Sequence, residues 1–344
     1  MLASAIWLLV ANRKPQPAIP RMDEFVSTEL PLTVHVGLPR TGTTCLQRQI
    51  FAKHSDIRYL GKHCTSREAR LNSLKALRAV AHLSDAEYED SRASVSSCWS
   101  DLLGSAKLVR PSQTAVTISF EDLYHPGSRD PITVMTRLRN VFGPGFRVLV
   151  SIRNQFRWIE SLYLCSFREF TVKGGQANFG DWSADERKKE WNAFACCDYW
   201  PMIKSLAGIV GRESIFVAPM ELLIKDSKAA LQKDLSVFMR VGVEETLRLF
   251  NDAVVENEGI GEMDYVLGRS QHLAAEALPG IQKKVLSYLL ARIREQTSAS
   301  PMKARIPGDV REYFSIEERL AIARGNKGLS DYTGLDLEQL GYPI

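Results

Sequence analysis

The chain has 344 residues, with 44 Lys and Arg against 40 Asp and Glu, a formal net charge of +4, and 45% hydrophobic residues. That composition excludes a disordered or fibrous chain, and at roughly 100–200 residues per domain the length allows one large α/β domain or a few small ones. So small a charge excess is weak evidence for nucleic-acid binding, and a local basic site for a small polyanion fits it as well.

The apolar run Leu2–Ala11 is too short to span a bilayer and has no basic segment before it, so it reads as a first helix or an unstructured start and not as a targeting signal. Arg13–Pro20 holds Pro15, Pro17 and Pro20 and reads as an extended lead-in. Leu32–Gly37 is a β-branched run that stops at glycine, and a helical pattern from about Thr43 to His54 puts Leu46, Ile50 and Phe51 on one face. Thr65-x-x-Glu68 has the capping-box pattern before Leu71, Leu74, Leu77 and Val80. Ser84-x-x-Glu87 opens a second helical segment reaching about Leu103. Ala115–Phe120 reads as a strand between Pro111 and His125-Pro126-Gly127. Arg147–Ile152, after the turn Gly143-Pro144-Gly145, is the clearest buried strand.

A helix ending near Gly211 leads to a fourth strand, Ile215–Ala218, and from about Leu223 the chain reads mostly helical. Strands alternating with helices predict an α/β fold: a central parallel sheet with helices on both faces. No repeat or linker divides the chain, so a lead-in over 1–31 followed by one α/β domain over 32–344 is expected. Cys45, Cys64, Cys98, Cys165, Cys196 and Cys197 form no C-x-x-C pair. They predict reduced, mostly buried thiols in a cytoplasmic protein, and no zinc site.

The stretch Gly37-Leu38-Pro39-Arg40-Thr41-Gly42-Thr43-Thr44 has the G-x-x-x-x-G spacing of a P-loop, between a strand and a helix. Backbone N–H groups in such a turn converge on an anion, and the helix presents its positive end. A P-loop NTPase has Lys after the second glycine, but Thr43 stands here, and the cation comes earlier, at Arg40. The strand Val148–Ile152 runs into Arg153 and not into an acidic residue. Cations and hydroxyls with no obvious magnesium carboxylate argue against ordinary NTP hydrolysis, and no metal is expected.

In these residues the chain resembles the PAPS-dependent sulfotransferases, of bacterial type. Pro39-Arg40-Thr41-Gly42-Thr43-Thr44 is similar to their 5′-phosphosulfate loop, P-K/R-x-G-T-T. The strand ending in Arg153, with Ser161 eight residues on, is similar to their 3′-phosphate signature. Further likeness covers Asp198-Tyr199 through Glu221-Leu222, and the tail from Leu329 to Pro343.

The resemblance implies transfer of a sulfuryl group from PAPS (3′-phosphoadenosine 5′-phosphosulfate) to a hydroxyl or amine on a small-molecule, glycan or lipid acceptor, with neither nucleic acid nor a stable membrane anchor involved. It assigns Arg40, Thr41, Gly42, Thr43 and Thr44 to the phosphosulfate, with Arg40 as an electrostatic clamp, and Arg153 and Ser161 to the 3′-phosphate. The general base is sought at Glu121, after the strand Ala115–Phe120, or at His63, after the phosphate-loop helix; Glu68 is in range but has a cap to make. Arg324–Gly328 loosely resembles a basic glycine loop over the 3′-phosphate, with a helix C-cap as the alternative. Trp182, Trp191, Phe194, Tyr199 and Trp200 read as core or else as an acceptor pocket, and Cys196-Cys197 as buried packing. A P-loop kinase or NTPase using Arg40 for the missing Lys, and a non-catalytic nucleotide-binding protein, remain as other readings.

Overall fold

A computed structural model describes residue 26 and residues 30–104, 112–125, 128–173, 179–189, 192–223, 229–253 and 309–344, except for the side chains of 166–173. The readings of Leu2–Ala11, Arg13–Pro20 and Trp191 lie outside these residues. In chain order the elements are β1 Leu32–Gly37, α1 (α-helical over Thr43–Cys45, π-helical over Leu46–Phe51), β2 Ile57–Gly61, α2 Arg67–His82, α3 Asp85–Gly104 and β3 Ala115–Ser119. Then come α4 Pro131–Phe142, β4 Arg147–Ile152, α5 Gln155–Lys173, α6 Phe179–Glu186, α7 Tyr199–Val210 and β5 Ile215–Pro219. The short α8 Met220–Leu223, α9 Ala229–Met239, α10 Val243–Asn251 and α11 Ile316–Thr333 complete the strands and α-helices of the described residues.

The five strands form one sheet in the order β2-β3-β1-β4-β5, every pair parallel. All residues of β1, β2 and β3 are buried, as a parallel sheet covered on both faces requires. This is the predicted α/β class, with the described part beyond residue 223 helical. β1 lies between β3 and β4, with Gly37 level with Ser151. The chain fills one side of β1 with β2 and β3 before crossing to β4, so the carboxyl ends of β1 and β4 flank the topological switch point. Ligands of open α/β sheets bind at that place.

The sequence reading missed β2, because Arg58 interrupts its apolar pattern. Arg58 is buried, and its guanidinium donates to Leu103 O at 2.9 Å and to Leu102 O, at the end of α3. Arg137 does the same for α2, donating to Val80 O and Leu83 O at 2.9 Å each, and Arg147 donates to Phe238 O near the end of α9. The last carbonyls of a helix lack intrahelical partners and carry partial negative charge, so the buried Arg58 and Arg137 and the half-buried Arg147 are matched there. Part of the chain's positive charge is therefore used inside the fold.

Of four further readings, three are corrected and one holds. The cap of α2 is Ser66, whose hydroxyl accepts from Ala69 N at 3.3 Å, so the Thr65-x-x-Glu68 box does not form. The Ser84 and Glu87 box does form, with reciprocal bonds of 2.8 and 3.3 Å. The helix expected from Thr43 to His54 widens into π geometry, with Ala52 N bonded to Gln47 O, five residues back, at 3.1 Å. In it Gln47 is fully buried beside Leu46, Ile50 and Phe51. Arg324–Gly328 is neither a loop nor a C-cap but mid-helix in α11. Gly325 and Gly328 lie against Asp198 and Trp200 at the start of α7, and a Cβ on either glycine would collide with those side chains.

Trp182, Phe194 and Tyr199 are core residues, and Trp200 packs on Tyr332 with ring centroids 5.5 Å apart. Cys196 and Cys197 are wholly buried, and burial pushes both thiols up. All six cysteines are free. Among the described residues no helix is long and apolar enough to cross a membrane.

Candidate functional site

The turn from β1 into α1 places Arg40 at φ +71° and Gly42 at φ +82°. Left-handed backbone costs a non-glycine residue about 1–2 kcal/mol, so Arg40 holds it only if its surroundings insist. They do. Leu38 O accepts from Thr41 N at 3.2 Å and Thr41 Oγ1 at 2.7 Å, Pro39 O from Trp158 Nε1 at 2.7 Å, and Arg40 O from Arg153 Nη1 at 3.0 Å. Gly42 is the N-cap of α1 and makes no side-chain bond to its first turn. The positive end of α1 thus opens at the switch point with a glycine and no capping side chain at its N-cap, which is the setting for an anion.

Beneath the loop lies a polar group that sequence reasoning missed. His35, in the middle of β1, is buried, and its ring nitrogens reach Ser119 Oγ on β3 at 2.7 Å and Ser151 Oγ on β4 at 3.1 Å. Burial takes its pKa down to about 3, so the imidazole is neutral. Ser151 Oγ lies 2.9 Å from Thr41 Oγ1, and Gln47 Nε2 donates to Ser119 Oγ at 3.0 Å.

Arg153 and Ser161, from the β4–α5 region, meet the loop directly. Arg40 Nε donates to Ser161 Oγ at 3.1 Å, while Arg153 bonds the Arg40 carbonyl. Burial lowers the Arg153 pKa; Glu221 pulls the other way, and Arg40 and Arg157 add to the lowering. Cations this close favour a polyanion between them.

The turn that carries Arg153 is fixed from distant parts of the chain. Tyr199 Oη donates to Arg153 O at 2.7 Å, and Asn154 N donates to Glu221 Oε1 at 2.9 Å. Asn154 Nδ2 donates to Gly341 O at 2.5 Å, and its Oδ1 accepts from Arg157 N at 3.2 Å, capping α5. Glu221 and the Gly341-Tyr342 tail lie in stretches that the sequence reading singles out. Their meeting at Asn154 had no local signal.

Of the two candidate bases, the structure brings one to the loop. Glu121 follows β3, and its Oε1 accepts from Thr43 Oγ1 at 3.1 Å. Thr44 follows on α1, half-buried. His63 lies beside α1 elsewhere, accepting at Nδ1 from Arg48 Nε at 3.4 Å.

Away from the loop, donor atoms of His54, Asp56 and Glu245 lie within 4.8 Å of one another. They are engaged by protein: Asp56 N on His54 Nδ1, Gly242 N on Asp56 Oδ2, and Ser55 Oγ on Glu245 Oε2, at 3.2, 2.8 and 2.5 Å. These bonds clasp the start of β2 to α10.

No protein-family model matches the chain, and no curated protein matches it. Among solved structures it is similar to a sulfotransferase from Alicyclobacillus acidocaldarius, with a TM-score of 0.40 and 20% identity, over 76% of this chain and 96% of that one. A likeness that distant speaks to neither substrate nor cofactor.

Proposed function

We propose that this chain is a sulfotransferase that moves a sulfuryl group from PAPS to an acceptor hydroxyl or amine by in-line displacement, without a metal. One observation carries the reading. Two stretches more than a hundred residues apart, the Gly37–Thr44 loop and the Arg153–Ser161 pair, are bonded to each other through Arg40 at the switch point.

The donor set fits a nucleotide bearing two anionic groups. Arg40, the hydroxyls of Thr43 and Thr44, and the N–H groups opening α1 would hold the 5′-phosphosulfate; Arg153 and Ser161 would hold the 3′-phosphate. PAPS, when bound, supplies the sulfuryl group and a phosphate as leaving group. Arg40 acts as a clamp and not as an acid, because a guanidinium keeps its proton at neutral pH. It stabilises the electron pair that stays on the phosphate oxygen as the S–O bond breaks. Glu121 takes the proton of the acceptor as the new bond to sulfur forms. The proposal includes a single α/β domain over 32–344, a cytoplasmic setting, and a small-molecule, glycan or lipid acceptor.

Glu121 also favours a second reading. A carboxylate bonded to a loop hydroxyl, after the strand beside β1, is where a nucleotide-hydrolysing enzyme would hold magnesium. Thermal shifts with 3′-phosphoadenosine 5′-phosphate, ADP and GTP, each with and without magnesium, separate the two. A ligand at about 100 times its Kd stabilises by about 2.7 kcal/mol. Selective, metal-independent stabilisation by the 3′-phosphorylated nucleotide is the expected result. Stabilisation by ADP or GTP with magnesium alone would replace the sulfotransferase reading with a kinase or NTPase.

A further inference from the structure

The hydrogen bonds beneath the loop have directions that can be worked out one by one. The Thr41 hydroxyl has a single proton, and Leu38 O, 2.7 Å away, can only accept it. At the 2.9 Å contact between the two hydroxyls, Ser151 is therefore the donor to Thr41 Oγ1. With its proton committed, Ser151 Oγ must accept from His35 Nε2, which places the imidazole proton on that nitrogen. A neutral ring then has a bare Nδ1, and it accepts the Ser119 hydroxyl at 2.7 Å. Ser119 Oγ in turn accepts from Gln47 Nε2.

Five bonds thus run one way, from Gln47 on α1, through β3, β1 and β4, to the carbonyl at the start of the loop. The opposite tautomer would face the two hydroxyls of Thr41 and Ser151 with no proton between them. Burial supports a neutral ring, since an imidazolium here would be charged without a counterion. The end of β1 is shaped for the chain as well: a Cβ at Gly37 would collide with the Ser151 hydroxyl and sit 3.0 Å from Thr41 Oγ1.

We propose that His35 is a positioning residue. As the neutral Nε2–H tautomer it couples Gln47 and Ser119 to Thr41, and so holds the Leu38–Gly42 backbone in the shape that receives the nucleotide's 5′-phosphate group. The identity of that ligand rests on the function proposed above; the tautomer and the coupling do not.

The test uses the full chain labelled with ¹⁵N-histidine, together with Ser119→Ala and Ser119→Thr. The His35 ring is expected to be neutral and protonated at Nε2 between about pH 5 and 8. In Ser119→Ala, which opens the chain at its far end from the loop, the Nδ1 resonance moves. Amide exchange at Thr41 and Gly42 quickens, and the Kd for 3′-phosphoadenosine 5′-phosphate rises roughly five- to tenfold. Ser119→Thr keeps the hydroxyl and restores exchange and affinity. An imidazolium, an Nδ1–H ring, or unchanged exchange in Ser119→Ala overturns the proposal. If the wild-type chain does not bind the nucleotide, the functional reading falls, and tautomer and exchange still decide the coupling.

Discussion

The Tyr342 phenol donates to Glu221 Oε2 at 2.9 Å, and the other oxygen of that carboxylate receives Asn154 N, also at 2.9 Å. The tail thereby sets the turn from which Arg153 reaches the loop. Tyr342→Phe removes a hydrogen bond to a charged group, of the kind worth about 1.5–3 kcal/mol net. The variant is expected to melt lower and to bind 3′-phosphoadenosine 5′-phosphate a few-fold more weakly, although Tyr342 is not among the residues proposed to hold it. Calorimetry on the two proteins checks both; a lowered melting temperature with unaltered affinity would confine Tyr342 to stability.

Arg153→Ala should weaken that nucleotide at least roughly tenfold, since charge-assisted bonds to a phosphate contribute about 1.5–3 kcal/mol each. The loss should shrink as salt is raised, because the interaction being removed is screened. An unchanged Kd would sink the 3′-phosphate assignment. The melting temperature should change less than the affinity, because Arg153 is desolvated beside other cations in the unliganded protein.

Much of this site was legible because its local pattern is strong. The glycine-bounded loop announced its own strand and helix, and β4 announced itself by the apolar run Val148–Val150 shortly ahead of Arg153. The strand β2 was not legible, since Arg58 is balanced by helix carbonyls contributed some 45 residues later. His35, Ser119 and Ser151 interrupt buried strands in the same way, and their partnerships span 84 and 116 residues. A polar residue inside an apolar strand signals a buried network, but sequence spacing cannot name its partners. Arg324–Gly328 misled for the opposite reason. Glycines between basic residues look like a phosphate loop, whereas here they let α11 approach α7.

That helix crossing contains a pH-dependent element. Burial pushes the Asp198 carboxyl from 3.8 up to about 6, with Arg324 opposing in part, and its Oδ1 is buried with no hydrogen-bond partner among the described residues. A raised native pKa means that the folded state holds this proton more tightly than the unfolded one. The contribution to stability is full below 3.8 and is lost as pH rises through about 6. Asp198→Asn, which is neutral throughout, should therefore stabilise the protein at pH 7.5 by an amount on the order of 1–3 kcal/mol. That advantage should shrink steadily toward about pH 4. Urea melts of both proteins across this range test it, and a gain independent of pH would show that the charge on Asp198 is not the cause.

Glu121 and His63 make opposite predictions for catalysis. Glu121 bonds the loop residue Thr43 at its Oγ1, whereas His63 bonds Arg48 on α1. If Glu121 is the base, Glu121→Gln keeps the side-chain shape and an acceptor for Thr43 but cannot take a proton. Turnover with PAPS and a competent acceptor should then fall by roughly 10²–10⁴-fold, the usual contribution of a positioned base. Nucleotide affinity should stay within a few-fold of wild type, which separates a lost base from a collapsed loop. His63→Gln should leave turnover nearly intact. The reverse pattern would move the base to His63, and a Glu121→Gln protein that loses magnesium-dependent ADP binding would instead identify Glu121 as a metal ligand.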